Sequence, residues 1–292
     1  MPKKFLLLVI SLFWVSAFSL SNQQPLVNKP VHRIISLAPN VTELLFAAGV
    51  GAKVVGISAF SDYPPQALKL PIVATSGGLD MERIIALQPD LVVAWQGGNS
   101  PEELESLANF HIPVVNTRIQ TIAQLIITIK YLGNLAGTSK EANQTANQLN
   151  NQYKTLLQQY SKQPVISVFY QISTTPLLTL NDNNLIDEII RGCGGHNIFA
   201  HTLGQAPEVN ITAVLANQPQ VIIISESPAS QVAAKQFWQQ YPELQAVQVN
   251  NVFLVNPDFT DRAGPRMILG MQQICKDIAI ARQHLKNSAK LN

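Results

Sequence analysis

Residues Ile84-Ile85-Ala86-Leu87-Gln88-Pro89-Asp90-Leu91-Val92-Val93 return in altered form as Ala213-Val214-Leu215-Ala216-Asn217-Gln218-Pro219-Gln220-Val221-Ile222-Ile223. Each copy reads as a short apolar helix stopped at a proline and followed at once by an unbroken apolar strand. Proline ends the helix because it has no N–H to donate and its ring crowds the preceding turn. A strand that is apolar at every position is buried on both faces, which requires a parallel sheet with helices on each side. One such unit is common in α/β chains. Two, in matching surroundings, point to two similar lobes.

The surroundings do match. In the first half, strands are expected at Arg33–Leu37, Val54–Ile57, Asp90–Ala94 and Pro113–Val115. Helices are expected from a cap at Asn40 to Gly49, over Met81–Leu87, and over Pro101–Phe110, where proline suits the first turn. The second half repeats this with a strand at Val165–Tyr170 and a helix at Asn184–Ile190 closed by glycines. Between the halves, Lys140 to Tyr160 contains neither Gly nor Pro, and Thr138-Ser139 reads as its cap. Such a helix is a rod of roughly 33 Å. It reads either as a bridge between lobes or as a surface helix of one of them, and its position favours the bridge. The expected fold is therefore α/β, with two Rossmann-like lobes carrying parallel-type sheets and joined by a single long interdomain helix. The boundaries are a signal peptide over 1–20, an N-terminal lobe over 21–137, a bridging helix over 138–161 and a C-terminal lobe over 162–292.

The signal peptide rests on Lys3-Lys4, an apolar run from Phe5 to Val15, and small residues at Ser16-Ala17-Phe18-Ser19. That run is roughly half of what a bilayer-spanning helix needs, and no cysteine near the cleavage region supports a lipid anchor. Export to a Gram-negative periplasm is expected. Cleavage removes two of the 20 Lys and Arg, leaving 18 against 18 Asp and Glu. A neutral chain with scattered charge has no electrostatic footprint for nucleic acid. The only cysteines are Cys193 and Cys275. In an oxidising compartment an even pair reads as a disulfide, in preference to a metal site or a catalytic thiol.

Several segments resemble the periplasmic binding proteins of the helical-backbone class, which serve ABC importers for cobalamin, haem and ferric siderophores. They are Ile35-Ser36-Leu37-Ala38-Pro39-Asn40-Val41-Thr42-Glu43-Leu44, Ser61-Asp62-Tyr63-Pro64-Pro65-Gln66, Glu82-Arg83-Ile84, Ala94-Trp95-Gln96-Gly97-Gly98-Asn99, Cys193-Gly194-Gly195-His196-Asn197-Ile198-Phe199, and Arg262 with Gly264-Pro265-Arg266. The second and fourth are similar to the cobalamin branch in particular, and Cys193 and Cys275 match that branch's disulfide positions. The resemblance implies a monomer that binds cobalamin (vitamin B12) or a related corrinoid and delivers it to an inner-membrane ABC permease, with no cofactor of its own.

A corrinoid is a broad, flat, largely apolar ring with amide arms, so its cleft needs aromatic walls and hydrogen-bond partners. The resemblance places Phe60 and Trp95 against the ligand in the first lobe, and Asp258, Phe259, Thr260, Asp261 and Arg262 in the second. Taken alone, Phe60 and Phe259 read as core, Trp95 as packing beneath its loop, and Arg262 as a structural ion pair. Two departures bear on the ligand. Relatives carry a tryptophan where this chain has Ser76-Gly77-Gly78, and another near Ala206. A different corrinoid, or a haem or siderophore ligand, is the alternative these leave open. Glu82 matches a carboxylate that meets permease arginines. The corresponding second-lobe position is Thr212, with Glu208 the nearest carboxylate. Both glutamates also fit helix N-termini, where a carboxylate favours the dipole.

Catalysis is not expected. There is no Gly-x-Ser-x-Gly elbow, and His32, His111, His196, His201 and His284 are scattered. His196 and His201 miss the i, i+4 spacing of a helical metal site, so no metal is expected. The carboxylates Asp258 and Asp261 read as binding-loop groups in preference to an acid/base pair. A secreted enzyme or an envelope structural protein is the remaining alternative from another class.

Overall fold

A computed structural model describes residues 31–290. The first half runs β1 (Ile34–Ser36), α1 (Pro39–Ala47), β2 (Val54–Ser58), β3 (Ile72–Thr75), β4 (Gly78–Leu79) and α2 (Met81–Ala86). It continues through β5 (Leu91–Trp95), α3 (Pro101–Asn109), β6 (Val114–Thr117) and α4 (Ile122–Leu135). Its sheet has six strands in the order β4-β3-β2-β1-β5-β6, parallel except for the β3–β4 pair. The chain starts in the middle, builds one side, and then crosses β1 to build the other. The strand ends of β1 and β5 therefore diverge, which makes the crevice where open α/β sheets hold ligands.

The second half repeats the plan. It comprises β7 (Ile166–Ser173), β8 (Leu178–Thr179), α6 (Leu185–Gly192), β9 (Gly195–Asn197), α7 (Ile211–Asn217) and β10 (Val221–Ile224). Then follow α8 (Pro228–Gln239), α9 (Gln245–Gln248), β11 (Val252–Leu254), α10 (Pro257–Thr260) and α11 (Met267–Ser288), numbered after α5 (Ser139–Tyr160), which separates the halves. The five-stranded sheet is ordered β11-β10-β7-β8, with β9 pairing the start of β7. The apolar strands Leu91–Trp95 and Val221–Ile224 are buried except at Trp95. At about 1.5–3 kcal/mol for each fully buried large aliphatic side chain, these strands anchor their sheets. Both halves are thus α/β with parallel-type sheets, as the repeat requires.

The long helix α5 packs against α1 and α4 of the first half and against α6 and α11 of the second. Ala142, Ala146, Leu149 and Leu156 join a buried cluster that runs through both halves. Two local expectations change. Asn40 does not cap α1: Pro39 occupies the first turn, Ala38 holds the cap position, and Asn40 lies buried inside the helix. A proline with φ already near the helical value starts the helix one residue earlier than the asparagine would. Thr138 holds the cap position of α5, yet its hydroxyl donates to the carbonyl of Ala48 (2.7 Å) and so ties α5 to the end of α1.

Cys193 ends α6, Cys275 lies on α11, and both are fully buried in a disulfide spanning 82 residues of sequence. In the chain-entropy treatment a loop of that length stabilises by about 4 kcal/mol. No helix among the described residues is long and apolar enough to cross a membrane. The signal-peptide reading over 1–20 lies outside the described residues.

Candidate functional site

Phe60 follows β2 in a turn, with φ at 62° and its side chain 78% exposed. A bulky residue rarely adopts that left-handed backbone, and such strain persists where the surroundings hold it. Here a chain of buried hydroxyls does so. Ser36 and Thr42 bond at 2.7 Å, Thr42 donates to Ser61 (3.0 Å), and Ser61 bonds Ser58 (3.0 Å). These side chains link the ends of β1 and β2 to α1 and hold Phe60 outward.

Trp95 closes β5. Its backbone N–H donates to the Asn99 side-chain oxygen (3.1 Å), and its ring lies across Gly98, where any Cβ would collide with it. The indole borders two cavities. One, of about 260 Å³, is lined mainly by apolar groups, among them Leu37, Pro39, Ala59, Phe60 and Leu79, with Ser76 at its edge. The other, of about 470 Å³, lies between the two halves and is lined by Gln96, Arg118, Gln120, Asn181, Asn183 and Gln205. Gln120 donates to the carbonyl of Asn183 (3.0 Å) across that gap, and Asn181 donates to the carbonyls of Thr202 (2.8 Å) and Gly204 (2.6 Å). Of the two positions where tryptophans are expected but absent, Ser76 lines the first cavity, and Ala206 follows Gln205, which lines the second.

Asp258, Phe259, Thr260, Asp261 and Arg262 form α10 and its end, and line neither of those cavities. Among them, Arg262 reaches the carboxylates of the first half. Arg262 donates to Asp62 and lies 3.6 Å from Glu43, with Asp258 at 3.8 Å. Arg266 makes two hydrogen bonds to Glu43 (3.0 and 2.6 Å) and places its guanidinium 4.3 Å from the Tyr63 ring centre and 5.8 Å from that of Phe259. Burial pushes the Glu43 carboxyl up, against the pull of both arginines, while the Arg262 hydrogen bond holds Asp62 below its ordinary value. In this structure Arg262 is an ion-pair partner between the halves. Thr260 is buried; its hydroxyl bonds Ser225 (2.7 Å), and Ser225 also donates to Asp261 (2.6 Å). Burial raises the Asp261 carboxyl too. Thr260 and Asp261 thus pin the loop to the end of β10.

Glu82 is exposed in the first turn of α2, whose cap is already supplied by Asp80, which accepts from the Arg83 N–H (3.0 Å). Glu208 is exposed and pairs through its backbone with Leu178, ahead of the Asn210 cap of α7 and outside that helix. His201 sits 3.1 Å from Asp182, and both line a separate cavity with His196. Among the described residues no three His, Cys, Asp or Glu side chains converge as a metal would require. Arg118 and the carboxamides of the inter-half cavity were not singled out from sequence. For most of them the signal was positional: Gln96 follows β5, Arg118 and Gln120 follow β6, and Asn181 and Asn183 follow β8, in the connections after strands where α/β ligands lie.

Two α/β halves, with a cavity lined by residues of both and a long helix packed against helices of each, make up the frame of this site. A family profile described as periplasmic binding protein matches residues 34–259, and the chain belongs to that family. It is 37% identical over 254 residues to the vitamin B12-binding protein of Vibrio cholerae serotype O1, covering 87% of this chain and 91% of the relative. It is 40% identical over 248 residues to the vitamin B12-binding protein of Pectobacterium carotovorum, covering 84% and 88%. The crystal structure of the periplasmic vitamin B12 binding protein BtuF of Vibrio cholerae superposes with a TM-score of 0.80 over 87% of this chain and 98% of that one, at 37% identity. The haem-binding RhuT of Roseiflexus, at 21% identity and a TM-score of 0.74 over 86% and 99%, shares the fold.

Proposed function

We propose that this chain captures cobalamin, or a related corrinoid, between its two sheets and delivers it to an inner-membrane ABC importer, without chemistry on the ligand. The observation that carries this is the pair of cavities on either side of Trp95. One presents apolar groups and the exposed Phe60, and the other presents carboxamides and a guanidinium. A flat apolar ring with polar arms needs both kinds of wall. Similarity to vitamin B12-binding proteins over most of the chain supports the same ligand. In this reading the sheets act as two lobes joined at α5, the mature protein works in the periplasm as a monomer after removal of residues 1–20, and Arg262 of the second-lobe loop Asp258 to Arg262 ties that lobe to Asp62 of the first. Glu82 and Glu208 are the docking carboxylates offered to permease arginines.

The absence of tryptophan at Ser76 and Ala206 favours, as a second reading, a haem or ferric-siderophore ligand. Parallel calorimetric titrations of the purified chain with cyanocobalamin and haemin separate the two. One-to-one binding of cyanocobalamin at micromolar concentration or below, with no haemin binding, is expected. Haemin binding without cyanocobalamin binding would overturn the corrinoid reading.

A further inference from the structure

We propose that Arg118 is a specificity residue that recognises a phosphodiester on the ligand, so that the cleft prefers complete, nucleotide-bearing corrinoids to their base-free precursors. This rests on the corrinoid reading and sharpens it. Arg118 follows β6 directly, in the connection that leads to α4. It is exposed, it lines the cavity between the halves, and among the described residues its guanidinium has no ion pair and no hydrogen bond. The other side chains of that cavity are uncharged: Trp95, Ile119 and the carboxamides of Gln96, Gln120, Asn181, Asn183, Asn184 and Gln205.

The nearby acids do not answer this charge. Glu188 accepts from the backbone N–H of Ile122 (2.9 Å) and from the Tyr153 hydroxyl (2.7 Å). Asp182 is bonded to His201, and Glu103 closes a capping box with Ser100. Glu188 also fills the N-terminus of α4, so the attraction for an anion comes from the guanidinium and not from that helix. A guanidinium offers a planar fork of donors that matches two oxygens of a phosphate, and such charge-assisted bonds are roughly twice as strong as neutral ones. Asn183, Gln96 and Gln205 have side-chain amides with no hydrogen-bond partner among the described residues, and they supply neutral donors around the same volume.

The chemistry that satisfies this wall is a single negative charge spread over phosphate oxygens, next to a ring that lies against Trp95. A corrinoid carries such a phosphodiester only when its nucleotide tail is complete. Amide arms alone leave the cation unanswered.

The test is calorimetric titration of the native chain and of Arg118→Gln with cyanocobalamin and with dicyanocobinamide, which lacks the phosphate, ribose and base. Arg118→Gln is expected to weaken cyanocobalamin binding about ten- to hundredfold and to leave dicyanocobinamide within about twofold. Retained dicyanocobinamide affinity also shows that the variant is folded. If both corrinoids weaken equally, or neither does, while the native chain binds both, the assignment of Arg118 is overturned and the corrinoid reading stands. If the native chain binds neither corrinoid, the corrinoid reading falls and the assignment falls with it.

Discussion

Asp277 lies on α11 with one carboxylate oxygen buried and without a hydrogen-bond partner, and burial pushes its carboxyl up to about 6. In the unfolded chain the same group titrates near 3.8. The folded state therefore holds the proton more tightly. That contribution to stability is fully present below the unfolded value and is lost as pH rises through about 6. Asp277→Asn is expected to raise stability at pH 8 by about 1–2 kcal/mol, a figure reduced by partial contact with solvent. The gain should shrink towards pH 4. Urea unfolding at the two pH values checks this, and an equal gain at both would show that the effect is not electrostatic. Little of this scale was legible in the sequence. An aspartate between a lysine and an isoleucine gives no sign of an orphaned oxygen. The backbone of Phe60 was equally hidden, because the hydroxyls that hold it come from three elements separated in sequence. Phe60 and Trp95 themselves were singled out through the resemblance. Arg118 was missed because a lone arginine after a strand reads as a solvated charge until the second half of the chain is placed opposite it.

At the scale of elements the sequence was far more informative, and for a physical reason. An unbroken apolar strand has one low-energy environment, so Leu91–Trp95 and Val221–Ile224 announce a covered parallel sheet wherever they lie. The terminal residues of elements depend on local competition, and there the reading slipped: Pro39 starts α1 where Asn40 was expected to cap it. The helix α2 carries the docking proposal. Asp80 already satisfies its N-terminus, so the Glu82 carboxylate next to it is not needed as a cap and stands free on the surface. Glu82→Ala is expected to leave ligand affinity unchanged while lowering ligand uptake through the importer reconstituted in vesicles by about tenfold or more, the loss of a charge-assisted contact. An equal fall in affinity would assign Glu82 to the cleft or the fold. Glu208 does not occupy the matching place on α7. It lies before the helix, where it would have to reach a permease arginine from a different angle.

Across the whole molecule, besides the hydrogen bonds from Gln120 to Asn183 and from Ile122 to Glu188, contacts between the halves fall into two groups. Around α5 the buried cluster is continuous from one sheet to the other, and the disulfide fastens α6 to α11 within the second half. At the second group the contacts are ionic: Arg262 with Asp62 and Arg266 with Glu43. Of the residues expected to touch ligand from the second half, Arg262 is thus engaged with the first half, while cavity volume between the halves lies at Trp95, Arg118 and Asn183. That division was not legible in the sequence. A carboxylate and an arginine 200 or more positions apart pair only once both sheets are in place. In the proposed function the ligand occupies that open volume. Equilibrium titration of cyanocobalamin into the native chain and into Trp95→Ala, with thermal unfolding of each as a control, tests this most directly. Trp95→Ala is expected to weaken binding about ten- to hundredfold, because it removes the wall shared by both cavities, and to leave the unfolding midpoint of this half-exposed site nearly unchanged. Native affinity in Trp95→Ala would show that the corrinoid is held somewhere other than the crevice between the sheets.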